Sequence, residues 1–135
     1  MLMLGPFAVD DGGRITARAG AAPPAMRFAW RGHPCEARLE PGGLRLSALA
    51  GRIPSTAEPG ADRPWTLRAL REVPRELPAD LRLRVTADHR LRLEREEARP
   101  GETASALLAQ MVRFALALDP YLERLDSVGA GTAKT

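Results

Sequence analysis

Apolar residues recur along this chain with two periods, and the switch between them separates strands from helices. From Met26 the period is two: Met26, Phe28 and Trp30 face one way, Arg27 and Arg31 the other. Gly32-His33-Pro34 predicts a turn. Cys35, Ala37 and Leu39 then alternate with Glu36, Arg38 and Glu40, and beyond Pro41-Gly42-Gly43 the residues Leu44, Leu46 and Ala48 alternate with Arg45 and Ser47. These runs predict an antiparallel meander of three strands, with Arg27, Arg31, Arg38 and Arg45 mixed among Glu36 and Glu40 on its outer face, an arrangement suited to cross-strand ion pairs. The pattern returns at Leu81, Leu83 and Val85, turns at Ala87-Asp88-His89-Arg90, and comes back through Leu91 and Leu93. The opposite face of this second hairpin carries Arg82, Arg84, Arg92 and Glu94. Near the start, Phe7-Ala8-Val9 and Arg14 to Arg18 flank Asp10-Asp11-Gly12-Gly13, a glycine-bearing turn between two β-type runs.

The period lengthens after Arg99-Pro100-Gly101. Ala104, Leu108, Met111, Ala115, Leu118, Leu122 and Leu125 are spaced by four and three residues, and Leu107, Phe114 and Tyr121 widen the stripe. That predicts a long C-terminal helix able to cover a sheet. Pro120 lacks a backbone donor, and Asp119-Pro120 could cap a second segment, so a kink or break is expected there. A shorter helix is predicted near Trp65, capped by Asp62, with Trp65, Ala69, Leu70 and Val73 on one face and Pro74 at its end. Residues 19–24 read as a linker, 53–64 as a loop and 129–135 as a disordered tail. The expected fold is one α+β domain over residues 1–128. Its antiparallel sheet of five or more strands is packed by the long helix and flanked by the short one.

Composition adds the character of the core and surface. Aromatics are only 4% of a chain that is 44% hydrophobic, so Leu, Val and Ala must fill the interior. All basic residues but Lys134 are Arg, a bias attributed first to GC-rich coding. The net charge is only +3, with acids dispersed among the bases, and this argues against nucleic acid as the partner. The opening Met1-Leu2-Met3-Leu4 is interrupted by Gly5-Pro6, too early for a secretory segment or a membrane span. A single cysteine suits a reducing compartment, and cytoplasmic residence is expected.

Candidate chemistry is sparse. His33-Pro34-Cys35 offers an imidazole and a thiol, but zinc needs three or four ligands and nucleophilic catalysis needs an aimed base. Cys35 reads instead as a small inward strand residue. Gly12-Gly13 and Gly42-Gly43 are turn glycines without phosphate-loop spacing. No catalytic residue, metal site or cofactor is expected. The surface feature singled out is the row Arg82, Arg84 and Arg92, which could receive an acidic partner segment or phosphates by bidentate hydrogen bonds unless Glu94 and its neighbours neutralise it.

The text Leu67 to Pro78, the hairpin Leu81 to Leu93 and the helix ending Ala117-Leu118-Asp119-Pro120-Tyr121-Leu122-Glu123-Arg124-Leu125 resemble the fold group of type III secretion chaperones and YbjN-like proteins. The resemblance covers the C-terminal half and is one of element order. It departs at the start, where a hairpin and Pro23-Pro24 stand in place of that group's first helix, and in the mildly basic charge. It implies a non-enzymatic domain that binds another protein. The function expected is therefore chaperone- or adaptor-like binding, with self-association into a homodimer also considered. Arg-mediated binding of nucleic acid or an acidic ligand is the alternative.

Overall fold

The computed structural model describes residues 2–4, 7–9, 11–17 and 25–131. Strands β1 (Leu2–Leu4), β2 (Phe7–Val9) and β3 (Ile15–Ala17) pair antiparallel in the order β1-β2-β3. β2 and β3 are the hairpin the glycine turn predicts; the opening apolar residues add a strand that the sequence pattern does not announce. The linker 19–24 lies outside the described residues. This small sheet is tied to the chain just before the long C-terminal helix, since Ile15 N–H donates to the Glu102 carbonyl (2.9 Å) and Ala104 N–H to that of Gly13 (2.7 Å).

The second sheet is the frame of the molecule. Strands β4 (Ala25–Trp30), β5 (His33–Glu40) and β6 (Gly43–Arg52) form the meander, succeeded by β7 (Leu81–Val85) and β8 (Arg90–Glu97), all antiparallel in the order β4-β5-β6-β8-β7. β8 thus lies inside the sheet against β6 and leaves β7 at the edge. The alternation read from sequence sets the faces: Ala37, Leu44, Leu46, Ala48, Leu91 and Leu93 are all buried on the core side.

The first turn differs from expectation. β4 ends at Trp30, which pairs with His33, so Arg31 and Gly32 form a two-residue connection with φ of 51° and 80°. Positive φ at both central positions gives the twist a tight hairpin favours. His33 and Pro34 are therefore strand residues rather than turn residues, and Arg31 leaves the outer sheet face.

The connection from β6 to β7 carries α1 (Arg63–Leu70) and α2 (Val73–Glu76). Asp62 accepts the Trp65 N–H at 3.1 Å, the cap the sequence predicts, and Pro64 sits in the first turn. Of the predicted face, Ala69, Leu70 and Val73 do pack on the core, but Trp65 does not. Thr66 is buried and Trp65 is 45% exposed, because the Thr66 hydroxyl turns inward to donate to the Val128 carbonyl at 2.8 Å.

Helix α3 (Ala104–Ser127) closes the core against β6. Thr103 caps it by accepting the Ala106 N–H (3.1 Å). Gln110 ties the entry loop down: its carbonyl oxygen accepts from Gly101 N–H (2.6 Å) and its amide donates to the Arg99 carbonyl (2.9 Å). The helix runs through Pro120 as one element, so of the expected kink or break the break does not occur. Asp119 caps no second segment, because its carboxylate is taken by the Trp30 indole N–H at 2.7 Å, with the Arg31 guanidinium 3.5 Å away.

The segment 129–131 is held against the core by Ala130 rather than hanging as a loose tail. Ala130 is fully buried, its N–H donates to the Leu125 carbonyl (2.9 Å) and its carbonyl accepts from Arg52 N–H (2.8 Å), extending the pairing of β6 where β5 has ended. The contact exists because position 51 is glycine: a Cβ there would lie 1.9 Å from the Ala130 oxygen. Residues 132–135 lie outside the described residues.

Candidate partner-binding surface

The outer face of the large sheet collects the charged half of each alternating strand. In register, Arg27 stands opposite Glu36, Arg38 opposite Arg45, Arg45 opposite Glu96, and Arg82 opposite Glu94. Arg38 pairs with Glu36 at 2.7 Å, while Arg45 bridges Glu40 and Glu96, each at 3.3 Å. Pairs this exposed contribute about 0–1 kcal/mol each, so they order the face more than they hold the fold. Arg27, Arg38, Arg45 and Arg92 line one concavity of about 450 Å³ together with Glu36 and Glu94.

The structure brings Arg82, Arg84 and Arg92 to one end of this face, as the alternation predicts. Arg84 lies 3.4 Å from Glu94 and Arg82 3.6 Å from Glu96, so two of the three are partly neutralised. Arg92 is not: it stands directly opposite Arg84, and among the described residues no carboxylate lies within 4 Å of it. Like charges facing across a ladder repel. Arg31, expected on this face, instead reaches Asp119 and Glu123 on α3 at 3.5 and 3.9 Å.

A further arginine escapes the sequence reading. Arg95 continues the alternation of Leu91 and Leu93 and therefore points to the core side of β8, where its side chain is only 13% exposed. Its guanidinium carbon sits 5.9 Å from the centre of the Phe114 ring. Its Nε lies 3.1 Å from the Asp80 carboxylate but makes no aligned hydrogen bond there, so that attraction is Coulombic. The signal was the unbroken period of two, in which Arg95 occupies a position otherwise given to leucine.

The groups weighed for catalysis are held apart. The Cys35 thiol donates to the His33 carbonyl at 3.4 Å, while Nδ1 of the buried His33 ring lies 3.0 Å from the Leu49 carbonyl. The imidazole is thus not aimed at the sulfur. Burial pushes the Cys35 thiol from its ordinary value near 9 up to about 11, a backbone hydrogen bond at Trp30 opposing it weakly. A folded state that holds this proton more tightly than the unfolded chain loses stability as pH rises from about 9 towards 11 and none below that window. Native Cys35 is expected to react with iodoacetamide at pH 8 at least about 100-fold more slowly than in urea, since two pKa units cut the thiolate fraction by that factor. Equal rates would contradict the burial described. His89 sits in the β7–β8 turn at φ 61°, well away from Cys35 in the fold. Beside it the Thr86 hydroxyl donates to Asp88 and, aided by Arg90 and Arg92, holds that exposed carboxyl below its usual range. Among the described residues no group of three or more His, Cys, Asp or Glu could hold a metal ion.

The second exposed feature lies on α3. Its buried stripe is Leu107, Met111, Phe114, Ala115, Leu118, Leu122 and Leu125, which leaves out Leu108 of the predicted set. Leu108, Val112 and Leu116 instead form a ridge at four-residue spacing on the outer side, 47, 51 and 53% exposed. Between Ala104 and Leu118 the only charged residue is Arg113. Counting apolar residues around the helix, rather than tracing one stripe, would have found this ridge. Among the described residues no helix is long and apolar enough to cross a membrane.

No family model matches the chain, and no curated protein matches it. Among solved structures it is similar to a chain of the heterodimeric ExoU-SpcU complex from the type III secretion system of Pseudomonas aeruginosa. The two are 21% identical, 76% of this chain and 88% of that chain are covered, and the TM-score is 0.40. At this identity and score the likeness says nothing of role or partner, which are read from the residues themselves.

Proposed function

We propose that the protein is a non-catalytic binding module for another polypeptide, acting in the cytoplasm in a chaperone- or adaptor-like way. The observation that carries this reading is the outer side of α3. A helix apolar nearly all round is ordinarily covered on both sides, and here the inner stripe rests on the sheet while Leu108, Val112 and Leu116 face water. Scattered exposed leucines are common; a contiguous ridge broken by one charge is the mark of an interface. The protonated, turned-away thiol of Cys35 supports a role without covalent chemistry.

The test is the double substitution Val112→Glu and Leu116→Glu. Both positions are half exposed, so the fold should persist with a near-native thermal midpoint. Captured polypeptides identified by mass spectrometry from a native extract should be lost from the double variant. If light scattering instead shows a wild-type dimer that the variant dissociates, the ridge serves a second copy. A wild-type monomer whose captured set is unchanged by the substitutions would sink the reading. The opposed pair Arg84 and Arg92 favours the second reading, an acidic ligand, which predicts affinity that falls steeply with added salt.

A further inference from the structure

The edge strand β7 carries the strongest remaining signal. No strand pairs with its outer side among the described residues; Leu81 N–H is taken by the Pro78 carbonyl (3.1 Å), and beyond it alternate peptide groups up to Val85 are left without a ladder partner. Its outer-face residues, Arg82 and Arg84, have side chains 68 and 60% exposed. Its core-side residues are not sealed either: Leu83 is half-buried and Val85 is 57% exposed, so the apolar layer beneath the sheet continues past its covering helices at this edge.

We infer that β7 is the docking edge for an extended polypeptide segment in which acidic and apolar residues alternate. The inference rests on the reading of the protein as a polypeptide-binding module and names the chemistry of its partner. A strand added beside β7 lies about 5 Å away, with successive side chains on opposite faces. One set of its side chains falls beside Arg82 and Arg84; the other falls beside Leu83 and Val85. Charge sets the sign of the first set. Glu94 and Glu96 stand among Arg82, Arg84 and Arg92, and Glu96 is shared with Arg45. The cluster therefore keeps an excess of positive charge. Arg84 uses only Nη1 towards Glu94, and its remaining donors, like those of Arg92 opposite it, can take a carboxylate in the fork geometry guanidinium favours. A carboxylate there also relieves the repulsion between Arg84 and Arg92. The same glutamates disfavour nucleic acid, whose evenly spaced phosphates would be forced against Glu94 and Glu96. A peptide places its charge only at alternate positions.

The experiment uses the full chain and a fluorescein-labelled peptide of alternating Glu and Val, monitored by fluorescence anisotropy. Saturable binding is expected, weakened about tenfold by the pair Arg82→Gln and Arg84→Gln. N-methylation of the peptide nitrogens that face β7 should weaken it similarly, because ladder hydrogen bonds are lost while charge is kept. Thermal unfolding of the glutamine variant, expected near native, confirms that the edge is intact. Four results would each overturn the proposal: no binding to the wild type, binding indifferent to the glutamine substitutions, binding indifferent to N-methylation, or tighter binding of a single-stranded oligonucleotide that needs the same arginines. If the peptide fails while Val112→Glu with Leu116→Glu still abolishes partner capture, the module reading stands and the β7 site falls.

Discussion

Phe114→Ala is expected to lower the unfolding free energy by about 4 kcal/mol, read as a shift of the urea midpoint at unchanged slope. Phe114 is fully buried on the inner stripe of α3 and heads the largest side chains in the core. The core cluster it belongs to is mostly leucine and alanine, which can move only partly into the space it vacates. The substitution also strips the ring from the guanidinium of Arg95, a group 13% exposed whose remaining compensation is the Asp80 carboxylate. Domains of this kind are stable by only about 5–15 kcal/mol, so the loss would consume much of the margin. Leu116→Ala is the control on the same helix: at 53% exposure it should cost less than about 0.5 kcal/mol. A cost below about 1 kcal/mol for Phe114→Ala would mean that α3 does not seat on the sheet as described.

Gly51→Ala is expected to cost about 3 kcal/mol, because backbone rather than a flexible side chain occupies the space. The new Cβ would stand 1.9 Å from the Ala130 carbonyl oxygen and 3.1 Å from its carbon. Relief requires the segment after α3 to withdraw, which breaks the bond from Arg52 N–H to Ala130 and threatens that from the Thr66 hydroxyl to Val128. Overpacking of this kind costs about 1–3 kcal/mol, and each hydrogen bond lost adds about 1 kcal/mol. Gly42→Ala separates crowding from backbone strain: nothing lies within 4 Å of its Cβ, but φ is +84°. It should cost only about 1 kcal/mol. If both variants unfold at the same urea concentration, Ala130 is not seated on β6.

The strands of the large sheet were legible because each buries mainly one face, and a half-buried strand writes its orientation as strict alternation. Met26 to Trp30, Cys35 to Leu39, Leu44 to Ala48 and the hairpin of Leu81 and Leu93 all lie where that alternation puts them. The cap at Asp62 was legible for a similar reason, since it depends on neighbours in sequence alone. What escaped depends on partners far along the chain. A kink or break was expected at Pro120, with Asp119 able to cap a second segment, but that cap depends on Trp30, whose indole has claimed the carboxylate. Trp65 looked like a core residue until Thr66 found the Val128 carbonyl. Ala130 read as tail because nothing in a small, glycine-flanked segment announces that Gly51 has left room for it. Of the candidate surface, alternation placed Arg82, Arg84 and Arg92 together. It could not say that Arg92 would have no carboxylate within 4 Å among the described residues, because which glutamate each guanidinium reaches depends on rotamers across three strands.

All five strands of the large sheet precede the long helix that covers them, and this order bears on synthesis. As the chain leaves the ribosome, β4 to β8 emerge with much of the core side around Leu44, Leu46, Leu91 and Leu93 bare, and ahead of α3 only the short helices α1 and α2 can cover part of it. At roughly 5–20 residues per second, α3 arrives a few seconds later. During that interval the nascent sheet is a sticky surface with a free edge at β7, open to whatever extended chain is nearby, so growth temperature and translation rate should govern the soluble yield of this protein more than the stability of the finished fold.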